Sequence, residues 1–141
     1  MTEHTMTPIG QADAATLSAG RQEETALSVV NRYLDGFYRG DHEAARAEVA
    51  PDFSFKGPFL EVVGKESFFE GAAGLKRIVR GHRMLRQWVQ GGDICSVYEV
   101  TLETPAGAGS LPMSEWHTVR DGHLIAGRVL FDSAAFRALV P

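Results

Sequence analysis

The chain has 141 residues, which suits a single domain with one hydrophobic core. Its formal net charge is −4, so a basic surface that binds nucleic acid is not favoured and no such partner is expected. The single cysteine, Cys95, excludes an intrachain disulfide and fits a reducing compartment. No apolar run approaches the roughly 18 residues of a membrane span, and the N-terminus lacks the basic and apolar regions of a signal peptide. We therefore expect a cytoplasmic protein with no membrane partner.

The N-terminal part of the sequence changes character about twenty residues in. Residues 1–20 are rich in Thr, Ala, Gly and Ser and predict a disordered or loosely attached tail, whereas residues 21–141 predict a single domain. Apolar side chains recur at three- and four-residue spacing over residues 21–39, which predicts a helix with one apolar face. That face includes Tyr33 and Phe37.

Three shorter helices are predicted further along the chain. Asp41 can cap a helix over residues 42–49, because its side chain can accept a hydrogen bond from the first helical turn. Residues 65–79 again carry apolar side chains at helical spacing. A last short helix over residues 133–139 follows a polar capping residue.

Alternating apolar and polar side chains predict strands. Residues 52–57 form a short strand with Phe53 and Phe55 on one face. Residues 94–103 alternate over a longer stretch. One face of that strand carries Ile94, Ser96, Tyr98, Val100 and Leu102.

The strand predicted over residues 82–90 leaves its inward face open, with two competing pairs of apolar residues: Met84 with Trp88, and Leu85 with Val89. Helices followed by a run of strands indicate an α+β fold. We expect a cone-shaped barrel of a strongly curved antiparallel sheet, with three N-terminal helices over its concave face. The mouth of such a cone is a natural ligand site.

The last hairpin, residues 113–132, turns at Asp121–Gly122, the strongest short-range hairpin signal in the sequence. A two-residue turn would place Glu115 opposite Arg128 as a cross-strand ion pair. A three-residue turn with Gly122 in the left-handed conformation would shift the pairing by one residue. In that second register the inward face carries Met113, Glu115, His117, Val119, Ile125, Gly127, Val129 and Phe131, and the outer face carries Ser114, Trp116, Thr118, Leu124, Ala126, Arg128 and Leu130.

The order of these segments resembles the nuclear transport factor 2-like superfamily. The resemblance spans roughly residues 25–139 and is carried by VNRYLDGFYRGD at 30–41, APDFSF at 50–55, GKE at 64–66, VRDGH at 119–123 and VLFD at 129–132. Within the superfamily the chain is most similar to the SnoaL-like polyketide cyclase branch, with ketosteroid isomerase and limonene-epoxide hydrolase as relatives. The resemblance favours the second hairpin register. It also implies a homodimer through the outer sheet face, which bears Trp116 and Leu130.

The catalytic positions of these relatives can be carried over one at a time. By similarity to ketosteroid isomerase, the general base falls at Gly57, which cannot abstract a proton. The oxyanion acid falls at Glu115, or at Ser114 if the turn is counted differently, and the helical tyrosine falls at or next to Tyr33. The positions of the epoxide hydrolase machinery fall on Tyr98, Val100, Val129 and Phe55, so the resemblance does not favour an epoxide hydrolase.

These observations predict a pocket for a small apolar ligand or substrate. If the protein is an enzyme, we expect a cofactor-independent isomerase or cyclase that acts by proton transfer on an apolar carbonyl compound, with Glu115 as the acid and His117 as its partner base. The predicted pocket residues are Tyr33, Phe37, Phe53, Phe55, Tyr98, Val100, Met113, Val129 and Phe131.

No cofactor is expected, and His82, His117 and His123 share no spacing typical of a metal site. The alternative function is a non-catalytic ligand-binding or dimerisation module of the same fold. The absence of a side chain at Gly57 favours this alternative.

Overall fold

The computed structural model describes residues 14–140 of the chain. Within them, helices α1 to α4 span Ala14–Tyr38, His42–Arg46, Lys65–Ala72 and Ser133–Leu139. Strands β1 to β6 span Val49–Lys56, Glu61–Val63, Val79–Gln90, Asp93–Thr104, Gly107–Arg120 and His123–Leu130. A short 3₁₀ helix, Ala73–Arg77, joins α3 to β3.

The six strands form one sheet in the order β2-β1-β6-β5-β4-β3. The fold class is confirmed: helices precede and follow a curved sheet, and the long helix α1 contacts β3, β4, β5 and β6 on one face. The sheet is mixed rather than purely antiparallel, because β1 pairs with β6 in parallel. Strands β3, β4 and β5 separate β1 from β6 in the sequence, and such a long connection allows β1 and β6 to pair in parallel.

Helix α1 covers the sheet with the apolar face that its periodicity predicts. Val30, Tyr33, Leu34 and Phe37 are all buried. The helix begins at Ala14 rather than near residue 21, and residues 1–13, which carry most of the predicted tail, lie outside the described part of the chain. The additional helical turns, residues 14–20, are mostly exposed, so they have no apolar face from which a helix could be predicted. No helix within residues 14–140 is both long enough and apolar enough to cross a membrane.

The shorter helices end earlier than predicted. Asp41 does cap α2, and its carboxylate accepts a hydrogen bond from the Ala44 amide at 3.1 Å. Helix α2 nevertheless stops at Arg46, because Val49 already belongs to β1. Helix α3 stops at Ala72 and continues as the 3₁₀ helix before β3 begins at Val79.

Strand β3 takes one residue from each of the two predicted inward pairs. Met84 pairs with Tyr98, but the next pairing joins Arg86 to Val97, so Leu85 is an extra bulged residue. Met84 and Val89 pack against the core, whereas Leu85 and Trp88 are exposed. A bulge shifts the alternation by one residue, so no uninterrupted strand pattern could predict this face.

The last hairpin combines features of both predicted registers. The turn has two residues, since Arg120 pairs with His123 and both Asp121 and Gly122 have positive φ. Further from the turn, Val119 pairs with Leu124 but Thr118 pairs with Ala126, which leaves Ile125 as a bulge.

The bulge shifts the remaining pairs by one residue, so Glu115 lies opposite Val129 and not Arg128. The second register is therefore confirmed for this part of the hairpin, although the bulge and not the turn produces it. The predicted faces were wrong next to the turn: Leu124 is buried on the inner side, and Ile125 is the extra residue.

Gly92 lies in the turn between β3 and β4, and a substitution there tests how tightly this end of the sheet is packed. A Cβ atom at Gly92 would lie 2.5 Å from the carbonyl oxygen of Val119, a backbone atom held by the hairpin. We expect Gly92→Ala to lower the free energy of unfolding by about 2 kcal/mol. Gly20→Ala is the control, because a methyl group added at Gly20 in α1 would have no atom within 4 Å and should stabilise the helix by about 0.5–1 kcal/mol. Urea unfolding measures both changes, and a Gly92→Ala variant as stable as the wild type would contradict the packing.

Candidate active site

A cavity of about 340 Å³ lies between the concave face of the sheet and helices α1, α3 and α4. That volume is at the lower end of the range for small-molecule sites. Its walls are mainly apolar and include the phenylalanines Phe37, Phe55, Phe59, Phe68, Phe131 and Phe136. Its side-chain polar groups are the carboxyl of Glu115 and the hydroxyls of Tyr33 and Tyr38. The cavity therefore suits a largely apolar molecule with one or two polar atoms.

Most of the predicted pocket residues line this cavity: Tyr33, Phe37, Phe55, Val100, Met113, Val129 and Phe131. Phe53 and Tyr98 do not, and both are fully buried. The Phe53 ring packs edge-on against Phe68 at 5.2 Å, which separates it from the cavity. The alternation of apolar and polar residues correctly predicts that both side chains face inward. It cannot predict which inward side chains are covered by others and so do not reach the cavity.

The far wall of the cavity was missed at the sequence level. It is formed by the loop at Pro58, Phe59 and Leu60 and by Phe136 of α4. Three aromatic rings meet there, with Phe59 lying 5.8 Å from Phe131 and 5.3 Å from Phe136. Neither the loop nor the short helix has a repeat of apolar residues from which a place in the cavity wall could be predicted. Tyr38 was missed as well, although it follows Leu34 by one helical turn and could have been assigned to the same face.

A chain of hydrogen bonds leads from the end of α1 to Glu115. The Tyr98 hydroxyl donates to Oε1 of Glu115, so its oxygen remains free to accept. The Tyr38 hydroxyl lies 2.9 Å from the Tyr98 hydroxyl and therefore acts as the donor to it. All three groups are buried, Glu115 being 3% exposed, and each hydrogen bond in such a chain strengthens the next. The chain fixes the carboxyl of Glu115 at the cavity wall.

His117, the predicted partner base of Glu115, lies behind Glu115 and does not line the cavity. Its side chain is fully buried, and its Nε2 is 3.0 Å from Oε2 of Glu115. Neither ring nitrogen makes a hydrogen bond within residues 14–140, so this contact is a close approach of the two groups and not a hydrogen bond. Gly127 makes room for the ring, since a Cβ there would lie 3.2 Å from Cδ2 of His117. His117 thus touches the carboxyl and not the ligand space.

The tyrosines around Glu115 are held in their neutral form. Burial, followed by the nearby charge of Glu115, raises the pKa of Tyr33 and of Tyr98 well above the ordinary value of 10.0. The same two causes raise the pKa of Tyr38 far above that value. The Tyr33 hydroxyl has no hydrogen-bond partner within the described residues, so it is a donor available to a ligand at the cavity wall.

Gly57 lines the cavity with backbone alone. A Cβ at this position would lie 2.8 Å from Cγ1 of Val129 and 3.3 Å from the Phe55 ring. The space that a side-chain base would need is therefore already filled by the neighbouring strands.

Comparison with known families decides the classification. A family model described as the SnoaL-like domain matches residues 30–127, well over half of the chain. The chain belongs to the SnoaL-like domain family. Among curated proteins, none matches this SnoaL-like chain in sequence.

Solved structures share the fold at low sequence identity. A candidate SnoaL-like polyketide cyclase from Jannaschia sp. CCS1 is 19% identical, with a TM-score of 0.72 over 84% of this chain and 92% of that one. An LEH-like epoxide hydrolase from M. tuberculosis is 16% identical, with a TM-score of 0.73 over 84% and 92% of the two chains. A candidate ketosteroid isomerase from Kribbella flavida DSM 17836 is 14% identical, with a TM-score of 0.67 over 79% and 80%. These likenesses confirm the nuclear transport factor 2-like fold.

The tyrosines of this SnoaL-like domain provide a direct test of the site, because Tyr33, Tyr38 and Tyr98 are its only three. A phenol whose pKa is raised on folding stabilises the protein below its unfolded pKa, and that contribution is lost as the pH rises above about 10. We expect no tyrosinate absorbance from the folded protein near pH 10. Ionisation and unfolding should then appear together in one cooperative transition, measured by ultraviolet difference absorbance and circular dichroism. The urea-unfolded chain is the control and should titrate normally, and tyrosinate in a still-folded protein would contradict the buried network.

Proposed function

We propose that this SnoaL-like domain binds a small apolar carbonyl compound in its cavity and that Glu115 transfers a proton on it. The observation that carries the proposal is the placement of Glu115. Within residues 14–140 it supplies the single carboxyl group of the cavity lining, and the hydroxyl chain of Tyr38 and Tyr98 holds it in place. A preorganised acid–base group in a largely apolar cavity is suited to proton transfer next to a carbonyl.

The reaction would be an isomerisation through an enolate. The Tyr33 hydroxyl donates a hydrogen bond to the carbonyl oxygen of the substrate. The carboxylate of Glu115 removes a proton from the carbon next to the carbonyl, and the electron pair moves onto the oxygen. Glu115 then returns the same proton to another carbon of the enolate system, so that the double bond moves and no other reactant is consumed.

His117 would act through Glu115 and not on the substrate. Its Nε2 lies 3.0 Å from the carboxyl oxygen that Tyr98 does not bind. In this position it can orient the carboxyl group and respond to its change of charge during the reaction. We therefore propose His117 as a positioning residue.

Glu115→Gln tests the proton transfer. The amide keeps the size of the side chain and an oxygen that can accept from Tyr98, but it cannot carry a proton between carbons. We expect turnover of a β,γ-unsaturated cyclic ketone, followed by the absorbance of its conjugated isomer, to fall by about 10²–10⁴-fold. The free energy of unfolding should change by no more than about 1 kcal/mol.

Glu99→Gln is the matched control, because Glu99 belongs to the neighbouring strand, faces outward and pairs with Arg83. It should leave turnover unchanged. Glu115→Gln activity equal to that of the wild type would refute the mechanism. Strong destabilisation by Glu115→Gln would instead mean that Glu115 serves the fold.

A non-catalytic binding module remains the second candidate, and Gly57 favours it. This position carries the general base by similarity to ketosteroid isomerase, and here it has neither a side chain nor space for one. A binding module would bind the ketone without turnover, and its affinity would depend on the aromatic walls of the cavity. The same ketone assay on the wild type separates the two candidates.

We also propose that the outer face of the sheet joins two copies of the chain. Trp88 and Trp116 flank Cys95 in one row across β3, β4 and β5. Both tryptophans are exposed, as are Leu85 and Leu130 near them. A face with this many exposed large apolar side chains is typical of an interface, and the same face on two copies forms a closed two-fold dimer.

Trp116→Glu places a charge in this outer face. We expect the wild type to be a dimer at micromolar concentration and Trp116→Glu to be a monomer, measured by sedimentation equilibrium. Leu17→Glu is the control, because Leu17 is exposed on α1, away from the outer face, and should leave the dimer intact. A monomeric wild type, or a dimeric Trp116→Glu variant, would contradict the proposal.

A further inference from the structure

A second, open hollow adjoins the mouth of the cavity, and it differs from the cavity in its chemistry. We call it the basic groove and define it by Arg77, Arg80, Glu103 and Thr104. The two spaces share Gly71, Leu75 and Phe136 as lining residues, so they meet along one edge. A ligand that occupied both spaces would pass between these three residues.

The charges of the groove do not cancel. Its lining contains two guanidinium groups and one carboxylate. Arg80 is engaged: its Nε donates to Glu103 at 3.0 Å and its Nη1 donates to the Val79 carbonyl at 3.0 Å. Arg77 has no carboxylate within ion-pair distance among residues 14–140 and is exposed. The groove thus presents a cation that has no ion-pair partner within residues 14–140, on a protein whose net charge is −4.

A further cation lies next to the cavity wall. The Arg137 guanidinium of α4 lies 4.8 Å from the centre of the Phe59 ring, and Phe59 is part of the cavity wall. Positive charge is therefore present beside the cavity wall as well as in the groove. An anion near the opening gains electrostatic energy from these groups, and the gain weakens as salt is added.

We infer that the ligand of this site is an amphiphile, with an apolar body in the cavity and an oxyanion in the basic groove at Arg77. The inference rests on the proposed function, because it assumes that the cavity is the ligand site. Arg77 and not Arg80 is the recognising group, since Glu103 and the Val79 carbonyl already occupy Arg80. A guanidinium can bind either a carboxylate or a phosphate through two parallel hydrogen bonds, so both headgroups share the same chemistry here.

Three probes with one alkyl chain test the inference: decanol, decanoate and decyl phosphate. Calorimetric titration at low ionic strength should show at least one of the two anions binding about fivefold tighter than decanol, the upper end of the effect of an exposed ion pair. The tighter of the two anions identifies the headgroup. Raising the salt concentration should remove the preference, while the affinity for decanol should stay the same or rise.

Arg77→Gln should remove the preference for the anions without changing the affinity for decanol. Arg83→Gln is the matched control: Arg83 is also an exposed arginine, but it belongs to β3 and pairs with Glu99 outside the groove. It should leave all three affinities unchanged, although it alters the net charge by the same amount. Urea unfolding confirms that both variants are folded.

The different failures can be told apart. Equal affinities for decanol and both anions in the wild type would overturn the inference and leave the cavity as an apolar site. A preference for anions that survives in Arg77→Gln would overturn the assignment to Arg77. Absence of binding for all three probes, decanol included, would overturn the proposed function of the cavity together with this inference.

Discussion

One extra residue in β6, Ile125, sets the chemistry of the whole concave face. Without this bulge the pairing at the turn would continue unchanged, and Glu115 would lie opposite Arg128. With it, Glu115 lies opposite the apolar Val129, and Arg128 lies on the outer face with its guanidinium 5.6 Å from the Trp116 ring centre. A single bulge thus separates a buried acid from the cation that would otherwise neutralise it.

The buried polar residues around Glu115 are costly to the fold. A buried polar group without a partner costs about 1–3 kcal/mol, and both ring nitrogens of His117 lack a hydrogen bond within the described residues. Tyr98, itself bonded to Tyr38, reduces the cost at Glu115 by supplying a donor, whereas among the described residues His117 has only the close carboxyl oxygen of Glu115 beside its Nε2. Buried polar groups without hydrogen bonds are expected at functional sites more than in a purely structural core.

The two faces of the sheet have different roles for the same physical reason. On the inner face, apolar side chains and one carboxyl group line the cavity. On the outer face, Trp88 and Trp116 stand exposed beside arginines that cover part of their rings. Alternation of side chains along a strand permits this separation, because neighbouring residues point to opposite sides.

Features that depend on local periodicity and on helix capping can be predicted from the sequence. The α+β order, the apolar face of α1, the inward face of β4 and the Asp41 cap could all be predicted, because each follows from the repeat of one element or from its end. The family resemblance added that Glu115 faces the cone. Most of the predicted pocket residues were found in this way.

The tertiary structure alone decided where the alternation is interrupted and which inward residues reach the cavity. Bulges at Leu85 and Ile125 depend on how neighbouring strands fit together, so they leave no periodic signal in the chain. His117 and Tyr98 are inward like Glu115, but only three-dimensional packing places them behind it. The far wall at Phe59 and Phe136 comes from distant segments that meet only when the cone closes around its cavity.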